Sequence, residues 1–365
     1  MRSPQVPIAG EWAECLLPRG AVPGALYREL KRISGTPPIT APWTAAAPWV
    51  ARASTLAMSA PVETLAPEIV GFGVLIVSQD NSCRFCYTAQ RTGLKAFGMS
   101  DSQIEVLERD FYRAGLSPQM TAGLEFMRKV SRSNPRPDAG DIAAMRRAGF
   151  EPRAIAELCF VAACITFCNR LYTLLALPPQ VAADAIPWFL RMFPKLLVWM
   201  MNASKKPLVF PAAPGKAADG VGGPVLAALA GMPAAGVVRA IIDSAVGSDL
   251  IPRRTKLLVM AVVAKALGCE AGGADARRFL QTEGVASATV DEVLTHLRSP
   301  HLTELESRLI PFARETVRPQ ALPLQIRMRE VCAGLSAAQT CEVAGILALA
   351  NALCRLSVVT HCAAA

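Results

Sequence analysis

The sequence predicts an all-α protein in which two copies of one helical module follow an irregular N-terminal arm. Three observations lead to this fold class. Of the 365 residues, 52% are hydrophobic and only 6% are aromatic, and this Ala- and Leu-rich mixture favours helix over strand. Helical periodicity, interrupted by caps and breakers, runs through the chain after residue 60. The second half of the chain also repeats the pattern of the first.

The first 60 residues are rich in proline and have little regular pattern. Only the segment from Ala25 to Ile33 has a helical period. We therefore expect residues 1–60 to form an extended arm with one short helix, which packs on the body of the protein or on a neighbouring subunit. Trp43 and Trp49 would anchor this arm, and a loose leader is the alternative.

The first module reads as a series of helices separated by clear breaks. Ser117-Pro118 pairs an N-cap with proline at the first helical position. The prolines between Asn134 and Pro137 interrupt the chain. The predicted helices are 67–78, 82–96, 100–114, 117–132, 141–148 and 152–175.

Two cysteines three residues apart, Cys83 and Cys86, stand at the start of the second of these helices. With Ser82 as the N-cap, Cys83 would lie in the first turn and Cys86 one turn later on the same face. The helix dipole, the free amides and the nearby Arg84 would stabilise a thiolate there. This is the arrangement of a redox dithiol, in which one thiolate attacks and its neighbour resolves the product as a disulfide. Two small buried helix residues would be the simpler interpretation.

The stretch from Val77 to Gln90, followed by Gly98, Ser100 and Ile104, resembles the core of the AhpD-like / carboxymuconolactone decarboxylase family. The resemblance covers roughly residues 60–180 and 237–357 and implies an all-α, oligomeric, cytoplasmic peroxidase and disulfide reductase. It assigns Cys86 as the attacking thiolate and Cys83 as the more exposed resolving thiol. Arg84, Tyr87 and Gln90 would tune the pair. A thiol protein or a lipoyl-type donor would supply the electrons.

Two positions depart from the family pattern. The histidine expected four residues after the second cysteine is Gln90, and the glutamate expected twelve residues before the first is Gly71. The closest upstream carboxylate is Glu68. In the peroxidases of the family the glutamate and histidine belong to a proton relay. Since a glutamine side chain cannot accept and release a proton near neutral pH, the resemblance favours the fold and the dithiol more than peroxidase turnover.

The predicted helix 152–175 is apolar on nearly all sides, which indicates a buried central helix. Its apolar run from Leu158 to Cys168 is too short to span a membrane. Cys164 and Cys168, one turn apart, are expected to be core residues. Asn169-Arg170 resembles a pair found in some peroxidase-related members of the family. A buried pairing of Glu157 with an arginine would be structural, and a substrate role is the alternative.

The segment 186–210 is rich in Trp and Met and contains Arg191 and Lys195 within an apolar pattern. Its charges and Pro194 argue against a membrane span. It could line a substrate pocket, lie at a subunit interface or touch a membrane surface, and the first two are preferred. Residues 211–223 read as a linker rich in Gly, Ala and Pro.

The second half of the chain repeats the first with a loss at the dithiol. With Cys269 aligned on Cys83, Gly272 falls on Cys86 and Ala276 on Gln90. A glutamate and an arginine thirteen residues apart recur near the end of both copies, as Glu157 with Arg170 and as Glu342 with Arg355. Cys269 has no resolving cysteine near it in the sequence. The second copy is therefore expected to be a scaffold.

These observations divide the chain into an arm (1–60), a first module with the Cys83–Cys86 pair (61–210) and a degenerate second module (211–365). The net charge of +9 is scattered and not interleaved with aromatic residues, which argues against nucleic-acid binding. Three histidines, all after residue 295, make a histidine-rich metal site improbable. No charged-then-apolar leader follows Met1, which predicts a cytoplasmic protein.

Three functions fit this sequence. The first is a thiol-dependent oxidoreductase that reduces a peroxide or a disulfide, needs no cofactor besides its own redox-active disulfide, and assembles as a homo-oligomer. The second is a decarboxylase-like enzyme that acts on a small organic acid without redox turnover. The third is a non-catalytic helical scaffold.

Overall fold

The computed structural model describes residues 11–59, 62–179 and 220–363, and within these ranges the chain forms helices and no strand. The all-α prediction is confirmed. The segment 186–210 lies outside the described residues.

The N-terminal arm is more helical than the sequence predicted. The expected short helix is present as α1, Gly24–Ser34, and two further helices follow it, α2 at Ala41–Thr44 and α3 at Pro48–Ser59. Helix α3 begins with proline and tryptophan, which do not stand out as a helical pattern, although proline is well suited to the first position of a helix. Trp49 is buried and its Nε1 donates to Glu342 Oε2 (3.0 Å), so α3 is attached to the second half of the chain.

Six helices follow in the first half, and six of similar length recur about 186 residues later. The prediction placed the first-half helices within a few residues of their observed ends. The first series comprises α4 Pro67–Asp80, α5 Arg84–Ala96, α6 Asp101–Asp110, α7 Pro118–Arg132, α8 Ala139–Arg147 and α9 Pro152–Leu174. After α10 (Gly223–Ala228) and α11 (Pro233–Val246), the second series comprises α12 Arg253–Ala266, α13 Glu270–Thr282, α14 Ser287–His296, α15 Glu304–Glu315, α16 Ala321–Val331 and α17 Ala337–Leu356. A last short helix, α18, is Thr360–Ala363.

The backbone repeats in detail at the turn that leads into the cysteine helix. Ser82 and Gly268 both adopt left-handed φ values, 52° and 60°. The amides of Cys83 and Cys269 then donate to the carbonyls of Ser78 and Ala264 (3.0 and 2.8 Å), again 186 residues apart. Two successive residues of the same conformational type in both halves indicate one supersecondary unit used twice.

The core lies where the two long helices α9 and α17 pack against each other. Nearly every residue of both helices is buried, since each is covered by the helices of its own series and by the other long helix. By length and composition, residues 152–174 and 337–362 would also pass as membrane spans, but 100% and 89% of their apolar windows are buried within this fold. Burial of that kind is typical of a helix at the centre of a helical bundle.

Candidate functional site

The cysteine pair lies at the start of α5, one residue earlier in the helix than the sequence indicated. Cys83 itself is the N-cap residue, and Ser82 precedes it in the left-handed conformation instead of serving as the cap. Cys86 follows in the first turn, so both sulfurs belong to one helix start. Phe85, between them, packs edge-on against Tyr172 of α9 with ring centroids 4.8 Å apart. This aromatic contact fixes the turn against the central helix.

The exposure of the two sulfur residues is the reverse of what the family resemblance implied. Cys83 is fully buried, with 0% of its surface accessible, whereas Cys86 is partly exposed. The assignment of Cys83 as the more exposed thiol is therefore wrong. The sulfur of Cys83 accepts hydrogen bonds from Asn169 and Thr173 of α9, and the central helix covers it.

The environment of Cys83 favours its thiolate. Burial alone would raise the pKa of the Cys83 thiol, but hydrogen bonding from the thiol and the backbone N–H of Cys86, and from Thr173 and Asn169, outweighs burial and lowers this pKa. Burial and the neighbouring Cys83 raise the pKa of Cys86 well above its ordinary value. Of the two thiols, Cys83 is therefore the one that loses its proton more readily.

Polar side chains of α9 lie around Cys83, and two of them, Asn169 and Thr173, donate to its sulfur. Asn169 and Arg170 lie three and four residues after Thr166, and Thr173 lies four and three residues after them. The four therefore form one stripe on an otherwise apolar helix. The hydroxyl of Thr173 is buried and has no nitrogen or oxygen partner among the described residues. Asn169 accepts a hydrogen bond from Asn81 Nδ2 (3.1 Å) and donates to Ser78 Oγ (3.2 Å).

Sequence reasoning noticed Asn169-Arg170 only through the family resemblance and missed Thr173. The signal that could have found all of them is the polar stripe itself. A run of polar residues at helical spacing inside a buried helix must face another polar group.

A third cysteine, Cys168, lies beside the pair. Burial raises its pKa to about 12, and the nearby Cys83 charge acts in the same direction. Cys168 therefore stays a neutral thiol, in agreement with the expectation that it is a core residue. Cys164, also expected in the core, is only partly buried.

The two positions at which the chain departs from the family pattern are neighbours in space. Gln90 Nε2 donates to the carbonyl oxygen of Gly71 (3.0 Å), and a Cβ placed on Gly71 would lie 3.4 Å from that nitrogen. A glutamate and a histidine at these positions would therefore touch. Here the contact is made by an amide that does not titrate.

Another predicted site residue, Tyr87, hydrogen-bonds a neighbouring helix instead of the sulfurs. Tyr87 Oη donates to Glu108 Oε1 of α6 (2.6 Å), and Arg91 completes this network with its Nε 3.2 Å from the same carboxylate oxygen. Burial, followed by this carboxylate, raises the pKa of Tyr87. Tyr87 therefore joins α5 to α6 as a neutral phenol. Glu68 is an exposed residue in the first turn of α4.

Arg84 contacts the N-terminal arm. Its guanidinium stacks on the Trp12 ring, 5.4 Å from the centroid. The same stretch of arm is held by the amide of Leu16, which donates to Leu175 O at the end of α9 (2.9 Å), and by the amide of Ala13, which donates to Gln325 Oε1 (2.9 Å). The arm thus lies beside the cysteine turn and touches both halves of the chain.

Glu157 does not pair with an arginine, contrary to the sequence argument. Its carboxylate accepts hydrogen bonds from the amides of Glu63, Thr64 and Leu65 (2.8, 2.9 and 3.2 Å) just before α4 begins. Glu342, its counterpart, forms a buried ion pair with Lys256 (2.5 Å). Both glutamates are structural.

The second half of the chain keeps a cysteine pair of its own, made from different positions. Cys269 and Cys354 lie 2.9 and 3.7 Å from the point where a Cβ on Gly272 would stand. A hydrogen bond from Cys354 lowers the pKa of Cys269 to about 5 in spite of its burial, with support from Arg136 and Ser357. The expectation that Cys269 lacks a partner is wrong because the partner lies 85 residues away in sequence, on α17.

Between the two helix series lies a cavity of about 1230 Å³. Its wall includes Asn81 and Arg170, which belong to the polar groups around Cys83, together with residues of α12, α14, α15 and the following turn. Among the described residues no group of three or more His, Cys, Asp or Glu side chains could hold a metal ion. Comparison with protein-family models, with curated proteins and with solved structures finds no match for the chain.

Proposed function

We propose that this protein is a cytoplasmic thiol-dependent oxidoreductase of the AhpD-like kind, in which Cys83 and Cys86 form a dithiol that reduces an organic disulfide or a peroxide. The observation that carries the proposal is the pairing itself. Two sulfurs stand together at one helix start: Cys83 is buried at the N-cap, where hydrogen bonds lower its pKa, and Cys86 in the first turn is partly exposed. A thiol reductant protein or a lipoyl-type donor returns the electrons, and the protein acts as a homo-oligomer.

Cys86 is the sulfur that meets the substrate, because Cys83 is fully buried. Cys86 passes its proton to Cys83 along their hydrogen bond and attacks one sulfur of a disulfide R–S–S–R. A bond forms between Cys86 and that sulfur, and the other half leaves as a thiolate. The departing thiolate takes the proton from Cys83. The Cys83 thiolate then attacks Cys86, forms the Cys83–Cys86 disulfide and releases the second thiolate, which takes a proton from water. The dithiol has then been oxidised to a disulfide and the substrate reduced to two thiols.

With a peroxide, Cys86 would attack the outer oxygen, release an alcohol and become a sulfenic acid. Cys83 would condense with it to give the disulfide and water. The departing alkoxide is a poor leaving group and needs a proton at once, whereas a thiolate leaves without one. Since Gly71 and Gln90 stand where the family has its relay, disulfides are the better substrates.

Trapping of the mixed disulfide tests this proposal. Cys83→Ser lacks the resolving sulfur, so treatment with hydroxyethyl disulfide should leave a stable adduct on Cys86, located by peptide mapping. Cys86→Ser should show no adduct on Cys83, since that sulfur is buried. Peptide mapping is needed because Cys15, Cys164 and Cys362 are also partly exposed. An adduct on Cys83 in Cys86→Ser, with none on Cys86 in Cys83→Ser, would overturn the assignment of roles.

The non-titrating contact between Gln90 and Gly71 favours one second candidate, a non-redox reaction on a small organic acid. This candidate predicts that Cys86→Ser retains activity on the true substrate, whereas the dithiol mechanism predicts that the activity is lost.

A further inference from the structure

The cavity between the two helix series is strongly cationic. Five basic side chains, Arg132, Arg170, Lys265, Arg314 and Arg318, share its wall with two acidic ones, Asp80 and Glu315. The wall also carries amide and hydroxyl groups, among them Asn81, Ser131 and Gln320. A cavity of about 1230 Å³ with an excess of three positive charges is large enough for an organic molecule and attracts anions.

The two acidic residues do not neutralise the cavity. Asp80 is held by both Arg128 (2.8 Å) and Arg132 (2.9 Å), so its charge is already shared by two guanidinium groups. Glu315 lies 3.7 Å from Arg327, which is not part of the wall. Lys265, Arg314 and Arg318 are exposed and have no carboxylate partner in the part of the chain that the structure describes. They are free to contact a ligand.

Arg170 is the innermost of the basic residues and is only 1% exposed. Its Nη2 donates to Val317 O (3.2 Å), while its Nε and Nη1 have no hydrogen-bond partner among the described residues. Burial, with a smaller contribution from Arg355, lowers the pKa of Arg170 to about 9, so the side chain is still charged near neutral pH. Buried donors on a charged group are normally satisfied, because an unsatisfied one costs stability.

A second buried arginine makes the region still more positive. Arg355 also donates to Val317 O (3.3 Å), and its other hydrogen bonds go to Ser131 O and to Asn351. Neither Arg170 nor Arg355 pairs with a carboxylate among the described residues. All donor nitrogens of Arg355 are satisfied, so of these two buried arginines only Arg170 has donors left for a ligand.

We propose that the cavity binds a multiply charged organic anion, whose acidic groups contact Arg170 at the inner end and Arg314 and Arg318 near the surface. Arginine suits both carboxylates and phosphates, which present oxygens of similar geometry. Binding at this site requires no sulfur, although Arg170 also belongs to the polar groups around Cys83. The site adjoins the dithiol through Asn81, which lines the cavity and hydrogen-bonds Asn169.

Isothermal titration calorimetry of the full chain with citrate and with inorganic pyrophosphate tests the proposal and separates the two sources of anion. Sodium chloride of matched ionic strength and glucose are the blanks. We expect binding of at least one anion and no heat with glucose. Binding of citrate alone identifies a carboxylate ligand, and binding of pyrophosphate alone identifies a phosphate ligand. Absence of binding for both anions overturns the proposal.

Variants locate the binding. Arg314→Ala/Arg318→Ala alters exposed residues only, so it should fold normally and weaken binding at least tenfold. Arg170→Met should abolish binding, with circular dichroism as the check on folding. Arg28→Ala, an exposed arginine on α1, is the matched control and should leave binding unchanged. Equal weakening in the control and in the double variant would show non-specific attraction and contradict the assigned site.

Discussion

Cys269 illustrates how a single hydrogen-bonded neighbour can decide the charge of a buried residue. Its thiol is buried, yet the hydrogen bond from Cys354, outweighing burial, together with Arg136 and the Ser357 hydroxyl 3.0 Å away, lowers its pKa to about 5. Arg136 is itself fixed by hydrogen bonds to Cys354 O (2.6 Å) and Ser357 Oγ (2.5 Å). The thiolate is therefore held by a preorganised set of donors.

Titration of the ultraviolet thiolate absorbance tests whether the pKa of Cys269 is lowered in this way. In the native protein, part of the signal should persist at neutral pH and disappear as the pH falls through about 5. Cys269→Ser should lack this component, and Cys354→Ala should move its midpoint upward, because the strongest donor is gone. The same low midpoint in Cys269→Ser would assign the signal to another cysteine.

The buried ion pair between Lys256 and Glu342 has a structural role that a substitution can test. Both side chains are 0% exposed and 2.5 Å apart, and the carboxylate also accepts from Trp49 Nε1 and Ser248 Oγ. Lys256→Met would leave this carboxylate buried without a cation, a change that costs about 3–5 kcal/mol in other proteins. Denaturant unfolding should show a loss of that size.

The control is the exposed pair Arg109 and Glu105, 3.9 Å apart on α6. Solvent screens this pair, so Arg109→Ala should change the free energy of unfolding by less than about 1 kcal/mol. Similar losses in the two variants would mean that burial is not what makes the Lys256 pair important.

At the scale of the helix, Gly345 allows a test of how closely α3 and α17 approach, and Gly93 is its matched control. A Cβ on Gly345 of α17 would lie 2.7 Å from Val50 Cγ2 and 2.8 Å from Trp49 Cη2, and the Trp49 ring is held by its hydrogen bond to Glu342. A Cβ on Gly93 of α5 would meet nothing within 4 Å.

Gly93→Ala should therefore stabilise the protein by about 0.5–1 kcal/mol, the gain of alanine over glycine inside a helix. Gly345→Ala makes the same gain but forces a crowded contact, which costs about 1–3 kcal/mol, so its net effect should be destabilising. Thermal denaturation of the two variants decides the sign of each. A stabilising Gly345→Ala would show that α3 moves away from α17 without cost.

The helices themselves could be predicted from sequence because their signals are local. The proline after Ser117 marks the start of α7, the break at Asn134 follows its end, and Gly149 follows the end of α8. The relative burial of Cys83 and Cys86 could not be predicted in this way. It depends on which side of the helix start meets α9, and that contact joins residues about 90 apart in sequence.

At the scale of the whole molecule, the two helix series form a joint core. The long helices α9 and α17 pack along each other, and Arg355 Nε reaches Ser131 O in the first series (2.5 Å), while Arg136 reaches Cys354 O in the second. Neither series can bury its long helix alone, because each covers one face of the other.

We therefore expect the protein to unfold in one cooperative transition. Differential scanning calorimetry should give a single peak whose calorimetric enthalpy equals the van't Hoff enthalpy. Two resolved peaks would show that the modules fold independently and that the contact between α9 and α17 is weak.

Alignment of the two modules could not predict the partner of Cys269. Alignment correctly places Gly272 on Cys86, but the loss of that sulfur does not leave Cys269 alone, since Cys354 occupies the neighbouring space. A comparison confined to aligned positions cannot detect a replacement that comes from a distant helix.

The central claim is that Cys83 and Cys86 work as one dithiol, and disulfide mapping tests it most directly. The reduced native protein is treated with one equivalent of hydroxyethyl disulfide, the remaining thiols are alkylated, and the peptides are mapped. The account predicts that Cys83 and Cys86 are oxidised together, linked to each other, before any other cysteine reacts. Recovery of both as alkylated thiols, with oxidation confined to other cysteines, would contradict it.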